Sequence, residues 1–433
     1  MIGQNPREIA VQLLRAHAQH AGFLDELLAA EPAAAALVPA DRRLLQELAF
    51  GVVRWQAALD WLIARRTAGR VQKPALQILL RLGLYQLCWL DRIPAHAAVH
   101  ETVEQARRLG FGAQSGFINA VLRGYARELE PTRQLLRELK SSQPACGHSH
   151  PQWLYDRWRQ RWGADATTRL LEWNNTPPKT FARLNPLRTE AAQLLELWRA
   201  EGVEFQPFAR DWTGPDLVFE LLSHPALDSL PSFQSGGFYV QDPSTLLAVR
   251  ELGPQPGETI LDLCAAPGGK TTFAAQLMQN RGRIVAQDAE PGRLKRVVEN
   301  CTRLGVGCVT LARASAVPGA APDQPFDRVL VDAPCSNTGV LRRRVELRWR
   351  VQAAEIERLR TTQLGLLRRA AVPVKPGGTL VYSTCSLEPE ENGDVVRAFL
   401  AEHPAFALVR ERALLPQTDG VDGAYVARLD RAP

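Results

Sequence analysis

Two short stretches of the sequence place a cysteine soon after an apolar run. In VDAPCSNTG (331–339) the run ends at Asp332 and Cys335 follows, and in TLVYSTCSLEPEEN (379–392) the run ends just before Cys385. A cysteine thiolate forms covalent intermediates, and a nearby carboxyl group can hold or transfer a proton. The residue types indicate a nucleophilic site. The two patterns alone leave open which cysteine attacks.

A third stretch, LDLCAAPGGKTT (261–272), joins an apolar run to a helical pattern through small residues. Gly268 and Gly269 let the backbone approach a ligand closely, and the start of the next helix favours an anionic group. The ending GGKT resembles a Walker A loop, but that motif needs a glycine where this chain has Cys264, which argues against an NTPase.

Asp288 ends the next apolar run, 19 residues after Gly269. A carboxylate at this point suits the two hydroxyl groups of a ribose. It also suits a helix N-cap, and the two roles can coexist. Together with the glycine loop, Asp288 predicts an adenosine-bearing cofactor without a triphosphate, and S-adenosylmethionine (AdoMet) is the natural candidate.

The two thiols and Asp332 form a coherent set for one AdoMet-dependent reaction. Methylation of oxygen or nitrogen needs no cysteine, but C5 of a pyrimidine is a poor nucleophile. A thiolate that adds to C6 enables C5 to attack a methyl group, after which the C5 proton and the thiolate must leave. Asp332, as a carboxylic acid, would hydrogen bond at N3 and the exocyclic amine. The base must also leave any stack.

A zinc site is not expected at these thiols. No C-x-x-C motif and no histidine cluster accompanies Cys335 and Cys385 in the sequence. Structural zinc sites combine several cysteine or histidine ligands at short spacings. We therefore predict no metal ligand in the chain.

Alternating strands and helices must position these residues. Five apolar runs separated by helical patterns predict strands at 259–264, 283–288, 308–312, 328–333 and 379–384. This alternation is typical of an open, mostly parallel, doubly wound α/β sheet, whose ligands bind at the carboxyl ends of the strands. We therefore predict a Rossmann-like catalytic domain over residues 236–433.

The rest of the chain predicts two further parts. Up to residue 140, apolar positions recur at helical spacing, which predicts an all-α bundle over residues 1–140. Residues 141–152, SSQPACGHSHPQ, have the composition of a linker. A tryptophan-rich helix, a strand over KTFARLN, a second helix and two short strands then predict a small α+β module over 141–235.

The overall composition narrows the class of protein. The chain has 433 residues, a net charge of +6 and seven cysteines. An odd number of irregularly spaced cysteines predicts a reducing compartment. The most apolar stretch, 76–90, is shorter than a membrane span and contains Arg81, and the N-terminus lacks the pattern of a secretory signal. We expect a cytoplasmic monomer that contacts no membrane, and its positive charge is compatible with a polyanionic partner.

At these motifs the sequence resembles the RNA cytosine-C5 methyltransferases, and it is most similar to the Sun/Fmu (RsmB-like) 16S ribosomal RNA enzymes. LDLCAAPGGKTT, VDAPCSNTGVLRR and YSTCSLEPEEN carry the resemblance, with support from SHPQWL, FYVQDPST and DGAYVARL. The N-terminal part, with GFINAVLR, resembles a NusB-like RNA-binding domain. The resemblance covers nearly the whole chain. It implies AdoMet as cofactor and 16S rRNA, naked or in an early assembly intermediate, as substrate.

The resemblance also implies a role for each matching residue. Cys385 would be the nucleophile, Cys335 would assist release of the product, and Asp332 would line the junction between cofactor and cytosine. Asp288 would hold the ribose. The AdoMet loop would consist of Cys264, Ala265, Ala266, Pro267, Gly268, Gly269 and Lys270.

The sequence departs from the family pattern at Ala424, where relatives are often aromatic, and at two further places. Relatives usually carry an acidic residue near the adenine after the third strand, whereas LARASAVPG places Ala314 there; AdoMet binding would weaken unless Ser315 partly substitutes. The usual His-Pro after the fourth strand is replaced by Arg344 and Val345 within LRRRVELRWR (341–350). We expect this basic run to contact RNA phosphates.

Other functions remain as alternatives. The same chemistry could act on tRNA or another RNA. A non-catalytic RNA-binding or antitermination factor would not need both Cys335 and Cys385, and both are present.

Overall fold

The structure, a computed structural model, describes residues 5–19, 22–313 and 325–433. It divides the chain into two compact units. Unit 1 comprises Met1–Thr176 and Leu341–Arg350, and unit 2 comprises Pro177–Val340 and Val351–Pro433. The boundaries inferred from the sequence, 1–140, 141–235 and 236–433, remain a prediction.

Unit 1 is helical throughout its described residues. The helices are α1 (Pro6–Gln19), α2 (Leu24–Ala30), α3 (Pro32–Ala35), α4 (Pro39–Arg54), α5 (Gln56–Arg66), α6 (Pro74–Trp89), α7 (Ala95–Arg108), α8 (Ser115–Arg127), α9 (Leu129–Ser142), α10 (Pro144–Gly147), α11 (Gln152–Asn174) and, from later in the chain, α17 (Leu347–Arg350). The apolar face of α6 is buried in the core of the unit, as its spacing predicted. Asn5 caps α1, because its Oδ1 accepts the amide of Arg7 at 2.9 Å.

Residues 141–152 do not form a linker. Pro144 starts the short helix α10, and His148, Ser149 and His150 are at most 2% exposed. The hydroxyl of Ser149 accepts the amide of Ala57 at 2.8 Å. The linker prediction is therefore wrong, because composition does not reveal that neighbouring helices cover the stretch.

The segment Leu341–Arg350, called here the returning segment, is built into unit 1. Val345 is fully buried in the apolar core, and the Arg342 guanidinium lies 4.1 Å from the ring centre of Trp173. Arg348 is 0% exposed and donates to the carbonyl of Asn174 at 3.0 Å. The prediction that this basic run contacts RNA phosphates is therefore wrong for Arg342 and Arg348.

The guanidinium of Arg348 donates hydrogen bonds to main-chain carbonyl oxygens and to a side-chain amide oxygen. It also donates to Oδ1 of Asn175 at 2.8 Å and to the carbonyls of Arg54 and Ser149, both at 3.3 Å. Burial, and to a smaller degree the charge of Arg54, lower the pKa of Arg348 to about 9. The side chain is therefore a cation at neutral pH, and its charge is held by oxygens that the helices leave open.

Unit 2 begins with a four-stranded antiparallel sheet in the order β2-β3-β1-β4. Its strands and flanking helices are β1 (Thr180–Leu184), α12 (Ala191–Ala200), β2 (Glu204–Pro207), β3 (Val218–Ser223), α13 (Pro231–Gln234) and β4 (Phe238–Val240). Trp198 and Phe219 pack in its core. The predicted strand, second helix and two short strands are present, but the tryptophan-rich helix, α11, belongs to unit 1, and β4 lies beyond residue 235.

A seven-stranded sheet forms the rest of unit 2, in the order β10-β11-β9-β8-β5-β6-β7. Its elements are α14 (Leu246–Leu252), β5 (Thr259–Asp262), α15 (Gly269–Leu277), β6 (Arg283–Asp288), α16 (Leu294–Leu304), β7 (Val309–Arg313), β8 (Phe326–Asp332), α18 (Ala353–Ala371), β9 (Val374–Thr384), α19 (Gly393–Glu402), β10 (Phe406–Leu414), α20 (Pro416–Asp419) and β11 (Ala424–Arg431). Strands β5 to β9 pair in parallel, whereas β11 pairs antiparallel with β9 and β10. The predicted Rossmann-like fold class, with its helical N-terminal domain, is confirmed.

The C-terminal hairpin β10–β11 was missed by the sequence argument, which predicted five strands. The edge strand β10 is buried at its two ends and mostly exposed between them, so it lacks the alternation of apolar residues that marks a strand. Strand β11 inserts between β10 and β9 and completes the sheet.

Within the parts of the chain that the structure describes, no helix is long and apolar enough to cross a bilayer.

Candidate active site

The site lies where the order of the parallel strands reverses. Strand β5 is followed along the chain by β6 on one side of it in the sheet, and β8 lies on its other side. At such a switch point the loops after the two central strands diverge and leave a crevice at the carboxyl ends. The loops that follow β5, β8 and β9 carry the glycine motif, Cys335 and Cys385.

The glycine loop turns sharply into α15. Gly268 has a φ of +102°, a left-handed conformation that favours glycine, and it directly precedes the helix. The carbonyl of Gly269 accepts a hydrogen bond from Nη1 of Arg183 at 2.9 Å, and the same nitrogen donates to Oε1 of Gln241 at 2.7 Å. Arg183, on β1, thus fixes the first turn of α15.

Arg183 was not identified from the sequence. It is 0% exposed, and its guanidinium lies 4.8 Å from the ring centre of Phe273. Burial lowers the pKa of Arg183 to about 9, so that it remains a cation at neutral pH. An arginine inside the short apolar strand TFARL was the signal that could have marked it, because an isolated buried charge needs partners.

Asp288 ends β6 beside the same loop and is 3% exposed. Its Oδ2 accepts the amide of Ala266 at 3.2 Å, and its Oδ1 accepts the amide of Glu290 at 3.1 Å. The carboxylate therefore shapes the loop and the turn after β6. Each carboxylate oxygen can accept more than one hydrogen bond, so these contacts leave capacity for ribose hydroxyl groups.

Asp262, at the end of β5, supports the presence of a bound polar group. Burial raises its pKa to about 7, and the hydrogen bond from the Thr271 hydroxyl at 2.7 Å works in the opposite direction. Its Oδ1 is buried and has no hydrogen-bond partner among the described residues. A buried polar atom without a hydrogen-bond partner requires an explanation. A bound ligand that forms a hydrogen bond with it is one such explanation. The residues of this loop fit an adenosine-bearing cofactor.

Cys264 and Ala314 were also predicted to contact the cofactor. Cys264 lies in the loop, and burial raises the pKa of its thiol, so it stays protonated at neutral pH. Ala314 lies outside the described residues, as does Ser315.

Asp332 is paired with Lys270. The Lys270 Nζ donates to Asp332 Oδ2 at 2.6 Å, and the Ser383 hydroxyl donates to Oδ1 at 2.7 Å. Burial alone would lower the pKa of Lys270, but the charge and hydrogen bond of Asp332 outweigh it and raise the pKa. The predicted role of Asp332 was that of a hydrogen-bonding carboxylic acid, and in the structure both of its oxygens accept hydrogen bonds, from Lys270 and Ser383. Lys270, predicted as part of the AdoMet loop, is therefore held against the carboxyl end of β8.

The two cysteines meet across neighbouring strands. The Sγ atoms of Cys335 and Cys385 lie 3.2 Å apart. Asn337 bridges them: its Nδ2 donates to the carbonyl of Cys335 at 2.7 Å, and its Oδ1 accepts from the thiol of Cys385 at 2.9 Å. Asn337 has a φ of +58°, which asparagine tolerates better than most residues. The prediction grouped the two thiols, and the structure brings them into contact.

Glu391 joins the two cysteine loops and was also missed. It is 0% exposed, and its Oε1 accepts the amide of Ser336 at 2.8 Å and Nε2 of Gln363 at 3.0 Å. Its Oε2 accepts the hydroxyls of Ser336 and Ser386, the residues that follow the two cysteines. One carboxylate therefore fixes both loops. The stretch EPEEN is part of the motif that contains Cys385, but the sequence does not show which of its glutamates is buried.

The backbones of the loops also touch directly. The amide of Gly339 donates to the carbonyl of Cys385 at 2.9 Å. A Cβ atom at Gly339 would lie 2.6 Å from that carbonyl oxygen and 2.7 Å from the carbonyl of Gly423. Only glycine allows this approach without a backbone shift.

A seven-stranded sheet of this order, with a glycine loop after its first parallel strand and reactive side chains at the carboxyl ends, defines an AdoMet-dependent methyltransferase fold. The family model "16S rRNA methyltransferase RsmB/F" matches residues 249–430. The NusB family model matches residues 4–127, and the RsmF/B-like ferredoxin-like domain matches residues 150–211.

Full-length relatives agree with these matches. The chain is 34% identical to the probable ribosomal RNA small subunit methyltransferase B of Bacillus subtilis (strain 168), covering 98% of each chain. It is 37% identical to ribosomal RNA small subunit methyltransferase B of Erwinia tasmaniensis, again over 98% of each. The crystal structure of PH0851 is 26% identical and superimposes with a TM-score of 0.78 over 100% of this chain and 99% of that one. The chain belongs to the ribosomal RNA small subunit methyltransferase B family.

Proposed function

We propose that the protein methylates C5 of a specific cytosine in 16S ribosomal RNA, with AdoMet as the methyl donor, through a covalent bond between Cys385 and C6. The observation that carries the proposal is the pair of thiols, 3.2 Å apart, beside the Lys270–Asp332 ion pair. Methyl transfer to oxygen or nitrogen would need neither thiol, whereas C5 needs a nucleophile at C6.

The chain offers a defined binding loop for the cofactor. Residues Cys264 to Lys270 and Asp288 would hold AdoMet, which supplies an electrophilic methyl group when bound. Arg183 keeps the start of α15 in place through the Gly269 carbonyl, and Asp288 holds the loop amide of Ala266. The buried Oδ1 of Asp262, at the end of β5, has no hydrogen-bond partner within the described parts of the chain and would provide a further polar contact beside this loop.

Asp332 and Lys270 would act on the cytosine ring. The Asp332 carboxylate, as an acceptor, suits the exocyclic amino group of cytosine and disfavours uracil, which presents a carbonyl oxygen at the same place. The Lys270 ammonium would offset negative charge that develops on the ring as the thiolate adds to C6. In this proposal Asp332 selects the base and Lys270 stabilises the adduct.

The two thiols would perform two different steps, attack on C6 and release of the product. Cys385 is the more exposed of the two, its thiol donates to Asn337, and it would add to C6 as the thiolate, with its proton passing to solvent water. After the methyl group has moved to C5, the C5 proton would pass to water as the C6–S bond breaks. Cys335 has a raised pKa, chiefly because of its hydrogen bond with Cys385 and then because of burial. A protonated Cys335 thiol can donate to the Cys385 sulfur as the C6–S bond breaks, and so would assist release of the product.

The choice of 16S rRNA rests on the family, because the relatives are named as small-subunit ribosomal RNA methyltransferases. The test is to incubate the purified protein with unmodified 16S rRNA and, separately, with unmodified tRNA and labelled AdoMet. Digestion and mass spectrometry should yield 5-methylcytidine at one position of 16S rRNA and none in tRNA. Label in another nucleoside would overturn the chemistry, and label in tRNA alone would overturn the substrate.

A further inference from the structure

Unit 1 carries two adjoining cavities along helix α9, together called the α9 groove. The smaller has a volume of about 310 Å³ and is lined by residues that include Trp55, Trp89 and Arg133. The larger has a volume of about 630 Å³ and is lined by residues that include His148 and Arg159. Arg137 and Lys140, both on α9, line both cavities.

Helices α9 and α10, which form much of the groove, lie between the recognised domains of the chain. The NusB family model ends at residue 127 and the ferredoxin-like model begins at residue 150. Nine of the eighteen residues that line the groove lie between the two matches, whereas Trp55 and Trp89 fall within the NusB match and Arg159 within the ferredoxin-like match. Neither match assigns a function to the groove as a whole.

One wall of the groove is aromatic. The ring centres of Trp55 and Trp89 are 5.2 Å apart, and Tyr85 stacks on Trp89 at 5.8 Å. The Nζ of Lys140 lies 5.3 Å from the ring centre of Trp55. Trp89 remains partly exposed. Lys140 thus lies beside the buried Trp55, and the neighbouring Trp89 is the indole that is partly exposed. Neighbouring cations and aromatic rings are the arrangement that proteins use to bind single-stranded nucleic acid, with a base on a ring and a phosphate on a cation.

The cations that line the groove differ in whether they already form ion pairs. Arg133 is paired with Asp91 at 2.5 Å and with Glu130 at 2.8 Å. No ion pair is recorded for Arg137, Lys140 or Arg159 among the residues that the structure describes, and Nε of Arg137 donates to the neutral amide of Gln134. These three side chains can therefore pair with phosphates without first breaking an ion pair within the described residues.

His148 adds a neutral polar group to the same place. Burial and then the charge of Lys140 lower the pKa of His148 to about 4. At neutral pH its imidazole is uncharged and can serve as a hydrogen-bond donor or acceptor for a base.

From these observations we propose that the α9 groove binds a short single-stranded segment of the RNA substrate, with phosphates on Arg137 and Lys140 and a base stacked on Trp89. This inference rests on the proposed function, since it takes the substrate to be RNA. Both cavity volumes fall in the range of small-ligand pockets, about 300–1,000 Å³, and they adjoin at the two shared cations, which suits successive nucleotides.

The test measures the salt dependence of binding by the full-length protein to a fluorescently labelled fragment of unmodified 16S rRNA. Each phosphate contact to a single strand contributes about 0.7 to the slope of log Kd against log salt. Lys140→Ala and Arg137→Ala should each make the slope shallower by about 0.7. Trp89→Leu should weaken binding about tenfold or more and leave the slope unchanged, because stacking releases no counterions.

The matched control is Arg43→Ala, an exposed arginine of α4 that does not line the groove and should leave both quantities unchanged. Circular dichroism checks that each variant keeps its helical content. Unchanged slopes in Lys140→Ala and Arg137→Ala would overturn the inference. It would also be overturned if these variants lost binding to an acidic peptide and kept normal RNA binding, because the groove would then take a protein.

Methylation of the same RNA separates this inference from the proposed function. If the wild-type protein forms no 5-methylcytidine, the proposed function fails whatever the slopes are. If the wild type methylates normally and the slopes of the variants match it, the groove proposal alone fails.

Discussion

The loops after β8 and β9 have closely similar sequences, with PCS in one and TCS in the other, but they hold their thiols in different surroundings. Cys335 is 8% exposed, and its pKa is raised by the hydrogen bond with Cys385, by burial and by the charge of Glu391. Cys385 is more exposed and hydrogen bonds to Asn337.

The difference in surroundings supports the opposite roles that we propose for the two cysteines. A thiol with a raised pKa forms little thiolate at neutral pH, so Cys335 is a poor attacker and a suitable hydrogen-bond donor. The more accessible Cys385 suits attack on a base that enters the crevice. The assignment implied by the family resemblance and the environments in the structure point in the same direction, and the experiments below test both.

Loss of the proposed nucleophile should have the largest effect. Cys385→Ser should lower the single-turnover rate of methylation by at least about 10⁴-fold, because hydroxyl addition to C6 is far weaker than thiolate addition. A denaturing gel should show no protein–RNA adduct with this variant. If Cys385→Ser instead accumulates an adduct, the two roles are inverted.

Loss of the second thiol should trap the reaction. In Cys335→Ser the adduct should form but resolve slowly, so that multiple turnover falls by about 10³-fold and a covalent protein–RNA band accumulates on a denaturing gel. The double variant Cys335→Ser/Cys385→Ser is the control and should show no band. Fast turnover without a trapped band would exclude the release role of Cys335.

Disruption of the shared carboxylate should affect both loops together. In Glu391→Gln an amino group replaces one acceptor oxygen among donors from Ser336, Ser386 and Gln363, and misplacement of the sulfurs should lower single-turnover methylation by about 10²-fold.

The matched control for Glu391 is Glu220→Gln, a buried carboxylate of the small sheet in the same unit that accepts hydrogen bonds from Lys179 and Gln206. AdoMet affinity, measured by calorimetry, should be unchanged in both variants. A loss of AdoMet binding in Glu391→Gln would mean that the residue supports the fold in general and does not specifically position the thiols.

The smallest effect should be a change in the titration of Cys335. Its pKa is raised most by its hydrogen bond with Cys385, so Cys385→Ala should lower the pKa. The pH midpoint of Cys335 alkylation by iodoacetamide should therefore move downward, with rates followed by peptide mass spectrometry against a Cys335→Ser blank. Burial and the Glu391 charge remain, so Cys335 should still titrate above a free cysteine. An unchanged midpoint would mean that the two thiols are not coupled.

Much of the site could be predicted because parallel strands bring their carboxyl ends to one edge. Strand ends at Asp288, Asp332 and Thr384 were readable from apolar runs, and their neighbours in the sheet follow from the fold class. This is why Asp332, Cys335 and Cys385 could be grouped from the sequence alone.

The residues that support the site were not predictable in the same way. Glu391 bonds to a serine 55 positions earlier, and Arg183 bonds to a carbonyl 86 positions later. Such partners depend on how loops and sheets pack, which neither spacing nor composition records. The same reason explains the error over the returning segment, where five arginines suggested contacts with RNA phosphates, although Arg342 and Arg348 are buried.

The position of the returning segment along the chain sets an order of events during synthesis. Helices α1 to α11 leave the ribosome about 170 residues before α17, yet the amide of Leu24 is paired with Glu346, and the carbonyl of Asn174 with Arg348. At a synthesis rate of about 5–20 residues per second, roughly 10–35 s pass between synthesis of α11 and synthesis of the residues that complete the interior of the helical unit. A nascent chain therefore finishes its helical unit only after the loop with Cys335 has been made.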